Sequence, residues 1–291
     1  MRNIFFMAAM LCGIVLSVSC SKNDSTTSTV QTLSNLTTFN ESSIPNSPYI
    51  ITTYIETDSL IVGYNPIFFT IKDTTSNTFV NNASIVLAPL MTNPTNIENG
   101  VAHRHSGPTE QAVFSDSMQA YMGAFIPLHG STSEYTSAGY KGWRMRMAIT
   151  VNSEQYDSVK YDFSTKSTKP GTKFFTSVAG NDGQTYYIAL VSPQQASQTN
   201  GLQSLEIAFY KSLDHNITFQ TVSDFTIGNF YPYMPDMGHS STSNVIPTSI
   251  GNGHYTGTVN FTMGGYWTLN FTKIQENNVQ IIDSTALEVA F

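Results

Sequence analysis

The chain has 291 residues, a size comfortable for two domains, with a formal charge of −7 and only 11% charged residues. The acidic balance and the lack of a basic patch exclude nucleic acid as a partner. Ser, Thr, Asn and Tyr are abundant and no Ala/Leu/Glu/Lys-rich stretch occurs, which excludes a helical bundle and points to an all-β chain.

Arg2 precedes the apolar run Ile4–Val18, and Ser19-Cys20 follows. A positive start, a short apolar core and small residues before the cut predict a secretory signal over 1–19, too short for a membrane span. The Cys at the cut resembles the lipobox of bacterial lipoproteins, with Cys20 lipidated, although Ser17 stands where Leu is usual. An ordinary signal peptide is the alternative. Ser21-Lys22-Asn23-Asp24-Ser25 resembles the polar start of many Bacteroidota lipoproteins, which implies the outer membrane of a Gram-negative bacterium, facing the periplasm or the surface. Cys12 lies inside the signal, so the mature chain has no disulfide pair and no Cys-metal chemistry.

Residues 20–47 are rich in Ser, Thr and Asn and predict a flexible tether. A first β-sandwich is expected over 48–161. Its strands are Tyr49–Glu56, Ser59–Ile71, Ala83–Leu90, Val113–Leu128 and the cleanly alternating Trp143–Val151. Thr92–Pro108 reads as a polar loop holding His103 and His105. A Ser/Thr/Lys/Pro/Gly-rich linker over 162–178 leads to a second sandwich over 179–291. Its strands fall at Thr185–Val191, Leu202–Tyr210, Ile217–Phe230, Gly253–Met263, Tyr266–Ile274 and Leu287–Phe291. Short strands with turn signals every 8–12 residues predict two tandem immunoglobulin-like β-sandwich domains.

Tyr231–Ser240 (Tyr-Pro-Tyr-Met-Pro-Asp-Met-Gly-His-Ser) places Met234, Met237 and His239 in a rigid, turn-rich loop. Thioether and imidazole together suit copper among the first-row metals. Met beside Pro and aromatic residues also fills strand ends, so packing is the competing reading.

The chain repeats this pattern at a fixed offset. His105 and His239 differ by 239 − 105 = 134, and so do Tyr121 and Tyr255, Gly123 and Gly257, and His129 and Met263. Met91 matches Met234, and Trp143 matches Trp267, if the first copy carries two insertions. Two copies of one domain are therefore expected, with two unrelated sandwiches as the alternative. Copy two offers Met234, Met237, His239 and Met263; copy one offers Met91, His103, His105 and His129. The thioether-rich set favours Cu(I), and the imidazole-rich set favours Cu(II) or Zn.

Met234, Pro235, Met237 and His239, then Gly253 and Tyr255, then Met263, Gly265 and Trp267 resemble the motifs of the YtkA-like/FixH-like domain family. The resemblance covers Leu202–Ile274, and copy one is a degenerate match. It implies a small immunoglobulin-like sandwich outside the cytoplasm and, for FixH-type members, copper supply to oxidase assembly. His254 is read as an exposed turn residue, with a spare metal ligand as the alternative, and no carboxylate pair suited to acid–base catalysis, phosphate loop or Gly-x-Ser-x-Gly elbow is found. The expectation is a lipid-anchored copper-binding protein rather than an enzyme, passing metal to a copper-accepting partner. The alternative is a surface adhesion module using Tyr231, Tyr233 and Tyr140.

Overall fold

The structure is a computed structural model describing residues 32–98, 101–131, 142–194, 198–214 and 216–291, with backbone alone at 93–98, 101–103, 157 and 158. The strand Trp143–Val151 is the clearest case of sequence pattern becoming structure. Trp143, Met145, Met147, Ile149 and Val151 are buried, while Arg144 and Arg146 point to solvent. A period of two puts alternate residues on opposite faces, so one face joins the core. Its neighbours are Glu154–Phe163 on one side and Ser84–Leu87 and the start of Leu90–Glu98 on the other, all antiparallel.

The first half forms one continuous hydrogen-bonded sheet. In order it runs Thr37–Ser43, Tyr49–Ile55, Asn65–Asp73, Ala120–Phe125, Thr109–Ser115, Ser84–Leu87, Trp143–Val151, Leu90–Glu98 and Val101–His105. A single residue pair, Ile85 with Ala112, joins its two parts. Ile51, Ile67 and Phe69 from one part pack against Leu87, Trp143 and Ile149 from the other, so the sheet folds on itself as an open sandwich.

The second half has two separate sheets. Phe175–Ala179, Thr185–Ser192, Gly201–Ser212, His254–Phe261 and Val245–Gly251 follow one another in the larger, with Phe219–Thr221 on its side. His239–Ser240, Phe225–Met234, Tyr266–Glu276 and Val279–Ala290 make the smaller. Leu205, Ile207, Phe209 and Phe261 of the larger face Trp267, Leu269 and Phe271 of the smaller. The all-β fold class is as expected: among the described residues only the short 3-10 turn Leu33–Asn35 is helical.

Several boundaries differ from the sequence reading. The tether expected over 20–47 has already become structure at Leu33, because Thr37–Ser43 pairs with Tyr49–Ile55 as an edge strand. An edge strand needs little apolar content, and here Phe39 alone reaches Tyr161 and Phe163. The linker expected over 162–178 is shorter. Thr165–Lys166 pairs in parallel with Leu60–Ile61, and Phe174 and Phe175 are buried. Ser59–Ile71 is broken at Gly63, whose φ of +110° ends one strand before Asn65–Asp73 starts. Thr92–Pro108 is no loop: Leu90–Glu98 and Val101–His105 form a hairpin with an irregular register. Val113–Leu128 is a second hairpin rather than one strand.

The two sandwiches meet along a seam. Ile126, with Val62, Tyr64 and Leu128 of the first, packs on Phe175, Tyr187, Ala189, Ala208 and Tyr210 of the second. Small Ala side chains on the outward face of the second sheet let the first approach closely. The Ser106 amide also donates to the Asn216 carbonyl at 2.6 Å.

Candidate functional site

In the first sandwich, hairpin pairing sets Met91 directly opposite His105, and the same Met91 opposite Trp143 on its other side. His129 arrives from the turn after Ala120–Phe125. The His105 ring lies edge-on to Trp143 with centroids 5.3 Å apart, and His129 is 6.0 Å from the same indole. The two imidazoles meet with Nε2 to Nε2 at 2.6 Å. Their other nitrogens face backbone carbonyls: His105 Nδ1 is 2.9 Å from Ser106 O, and His129 Nδ1 is 3.1 Å from Gly130 O. A carbonyl only accepts, so each Nδ1 carries the hydrogen. The two Nε2 atoms then face one another at hydrogen-bond distance. One hydrogen, or one cation, between them joins the pair. A ring Nδ1 fixed by a carbonyl, with Nε2 turned toward a shared point, is also how metal-ligating histidines are oriented. His105 is buried, only 7% exposed. Met91 is fully buried. His103 lies on the strand Val101–His105 with its backbone opposite Asn93; its side chain is outside the described residues, as are Cys20 and Tyr140.

In the second sandwich, Met234 is the ladder partner of His239 across a tight turn. Gly238, at φ +66°, closes that turn by donating to Met234 O at 2.9 Å. His239 is edge-on to Trp267 at 5.8 Å. Met263 is held beside the same indole, because Trp267 Nε1 donates to its carbonyl at 3.0 Å. Met234 is buried at 3%, and its methyl occupies space that a Cβ on Gly265 would enter, 2.7 Å away. Met237 stands at the turn tip, 62% exposed, and Met263 is 38% exposed. The structure therefore places His239 on Trp267, puts Met234 in the same core cluster, fixes the Met263 backbone beside the indole, and leaves Met237 at the rim.

The supporting contacts recur in matched positions of the two sandwiches, though only some pairs, such as Ser106 and Ser240 or Tyr121 and Tyr255, lie 134 residues apart. Trp143 Nε1 donates to His129 O at 3.3 Å, as Trp267 does to Met263 O. Ser106 Oγ donates to Pro89 O at 2.6 Å, and Ser240 Oγ to Pro232 O at 2.5 Å. Tyr121 OH accepts from Ala83 N–H and donates to Val80 O; Tyr255 OH accepts from Phe225 N–H and donates to Val222 O. A Cβ on Gly123 would strike Glu110 O at 2.7 Å, and one on Gly257 would strike Val245 O at 2.4 Å.

Among the described residues no group of three or more His, Cys, Asp or Glu is arranged to hold a metal. A metal here would rest on imidazole pairs and thioethers, which suit soft or borderline ions and not Ca²⁺ or Mg²⁺.

A third cluster lies at the seam. His254 is not an exposed turn residue: its Nε2 is 2.7 Å from Glu110 Oε1 and its Nδ1 2.6 Å from Glu206 Oε1. Tyr210 OH and Tyr64 OH also donate to Glu110, at 2.5 and 2.8 Å. Hydrogen bonds to Glu110, then to Glu206, raise the His254 pKa to about 9 against the cost of burial. Burial works against the charge on Glu110, but the bonds from His254, Tyr210 and Tyr64 prevail and hold it below the ordinary value. Glu110 belongs to the first sandwich and His254, Glu206 and Tyr210 to the second, so this charged clasp ties them. Sequence reasoning missed it. The available signal was that Glu206 and His254 alternate outward beside the inward Leu205, Ile207 and Tyr255.

Fold and rims together define an all-β, two-sandwich protein with Met/His clusters at sheet ends. Residues 181–272 match the family described as YtkA-like, and this stretch is a YtkA-like domain. No curated protein matches the chain. Among solved structures it is similar to FdeC, an Escherichia coli adhesin, at 11% identity and TM-score 0.26, over 87% of this chain and 66% of that one. It is similar to the Yersinia pseudotuberculosis adhesin InvE at 11% identity and TM-score 0.25, over 88% and 60%. A conserved domain protein from Bacillus anthracis is similar at 9% identity and TM-score 0.29, over 89% and 92%. The chain thus spans less than two thirds of each adhesin.

Proposed function

We propose that this chain is an extracytoplasmic, lipid-anchored copper-binding protein built from two YtkA-like copies, which holds the metal for a copper-accepting partner. The observation that carries this is the meeting of His105 Nε2 and His129 Nε2 with both Nδ1 groups committed to carbonyls. Two imidazole nitrogens facing one point, beside an indole, form a donor pair that suits a borderline metal ion. The matched hydrogen bonds around Trp143 and Trp267 support two copies of one frame. The donor chemistry then divides the work. Copy one, with His105 and His129, suits Cu(II); copy two, with His239, Met263 and Met237, suits Cu(I). Cys20 is the lipidated residue and the outer membrane is the address, with no catalytic role for any cluster.

The test is titration of the chain from residue 21 onward with Cu(I) and with Cu(II), each against a competing chelator. We expect one equivalent of Cu(II), lost with His105→Ala or His129→Ala, and one of Cu(I), weakened by Met237→Ala and Met263→Ala. One equivalent that survives all four substitutions would place the metal elsewhere. Failure to bind either ion above the level of a surface histidine sinks the copper reading. The exposed Tyr231 and Tyr233 would then become the first contacts to probe for an adhesion partner.

A further inference from the structure

The outward face of the first sandwich holds a second feature, independent of the metal reading. A cleft of about 710 Å³ lies over the outer side of Trp143–Val151 and its neighbours. Its walls carry Arg104, Arg144, Arg146 and Lys160, with Asp162 as the sole carboxylate among the described lining residues. That is four of the 13 Lys and Arg in a chain of net charge −7. Asp162 is taken: Arg144 Nε lies 2.5 Å from its Oδ1, and the two are ladder partners. Arg104, Arg146 and Lys160 then leave the cleft strongly positive inside an acidic molecule.

The ladder sharpens the point. Arg146 and Lys160 are direct cross-strand partners. Like charges placed opposite one another on a sheet destabilise it. Folding gains nothing from this pairing, whereas an anion bridging the two cations relieves it. Guanidinium groups present paired donors that match carboxylate and phosphate oxygens. Between the cations the floor is apolar, with Val86 47% exposed beside Ala88 and Leu90. The volume falls in the range of small-ligand sites, roughly 300–1,000 Å³.

We infer that this cleft binds a small organic anion with at least two phosphate or carboxylate groups and a body that covers the apolar floor, of the kind a phosphorylated or acidic sugar provides. Arg146 and Lys160 grip one anionic group together, and Arg104 holds the second.

The experiment is calorimetric titration of the chain with two probes, inorganic pyrophosphate and trigalacturonate, at low and at physiological salt. We expect saturable 1:1 binding of at least one probe, weakened by added salt. The double variant Arg146→Ala/Lys160→Ala should lose at least tenfold in affinity, while Lys72→Ala, a cation on another strand, should not change it. All three residues are on the surface, so thermal unfolding of each variant confirms that it is folded. Pyrophosphate binding alone marks a phosphate ligand, and trigalacturonate alone a carboxylate one. Binding of neither probe overturns the inference. So does binding that the double variant retains, or that Lys72→Ala weakens equally.

Discussion

At the position where the first sandwich turns an imidazole toward His105, the second places a thioether, 134 residues on (263 − 129). His129 and Met263 are nonetheless fixed by the same bond, an indole N–H to their carbonyl. The frame is thus set by backbone contacts, and the donor is free to vary. A backbone carbonyl does not depend on the side chain that follows it, so His and Met can exchange without disturbing Trp143 or Trp267. The first cluster is closed and nitrogen-rich; the second is open and sulfur-rich.

Breaking the frame should produce the largest effects. Trp143→Ala and Trp267→Ala each remove a fully buried indole, and each should cost about 3–5 kcal/mol in denaturant unfolding. Similar losses are expected from the two; a loss confined to one would mean that the frames are not equivalent.

The clasp comes next. His254→Ala leaves Glu110 and Glu206 facing one another at the seam, at a cost of about 3 kcal/mol. Its pH dependence has a definite sign. The folded pKa of His254 is raised, so its contribution is complete below the unfolded value of about 6.5 and is lost as pH rises through about 9. Glu110 is lowered, so its contribution is present above the ordinary carboxylate value and is lost as pH falls through its folded value. Stability against urea should therefore be greatest near pH 5–7. The alkaline loss should vanish in His254→Ala, and an unchanged profile would remove His254 from the seam.

Tyr121→Phe and Tyr255→Phe each strand a backbone N–H and a carbonyl, at about 1–2 kcal/mol apiece by the same denaturation measurement. Smallest in energy, and sharpest for the comparison, is His129→Met. It should convert the first cluster toward the second, with Cu(II) affinity falling about tenfold and a stability cost of only about 1 kcal/mol from the lost imidazole hydrogen bonds. A large stability loss instead would show that the imidazole is packing.

The core was legible where one face is buried and the other wet. Trp143–Val151 shows that alternation plainly, and its bounds read directly from sequence. The offset of 134 was legible too, because no gap falls between His105 and His129 or between His239 and Met263. Three features were not. Thr37–Ser43 is polar because it is an edge, and an edge has no apolar pattern to read. The hairpin from Leu90 to His105 hides behind a register irregularity between Asn93 and Ile97. The His254 clasp joins residues 144 positions apart (254 − 110), and no local spacing encodes which sheet faces dock. Of the candidate sites, donor type in the sequence singled out the rim residues, whereas the Nε2-to-Nε2 meeting needed coordinates.

The seam has one more effect. Tyr64, Ile126, Tyr210 and the His254 clasp fix one sandwich upon the other. If, as proposed, one partner takes metal from both Met/His rims, it meets two attachment points already set at one spacing. It loses no linker entropy to the second contact, so the effective concentration for that step is that of a rigid bivalent ligand rather than of two beads on a string. A partner of the wrong span gains nothing from the second rim, which makes spacing itself a means of selection.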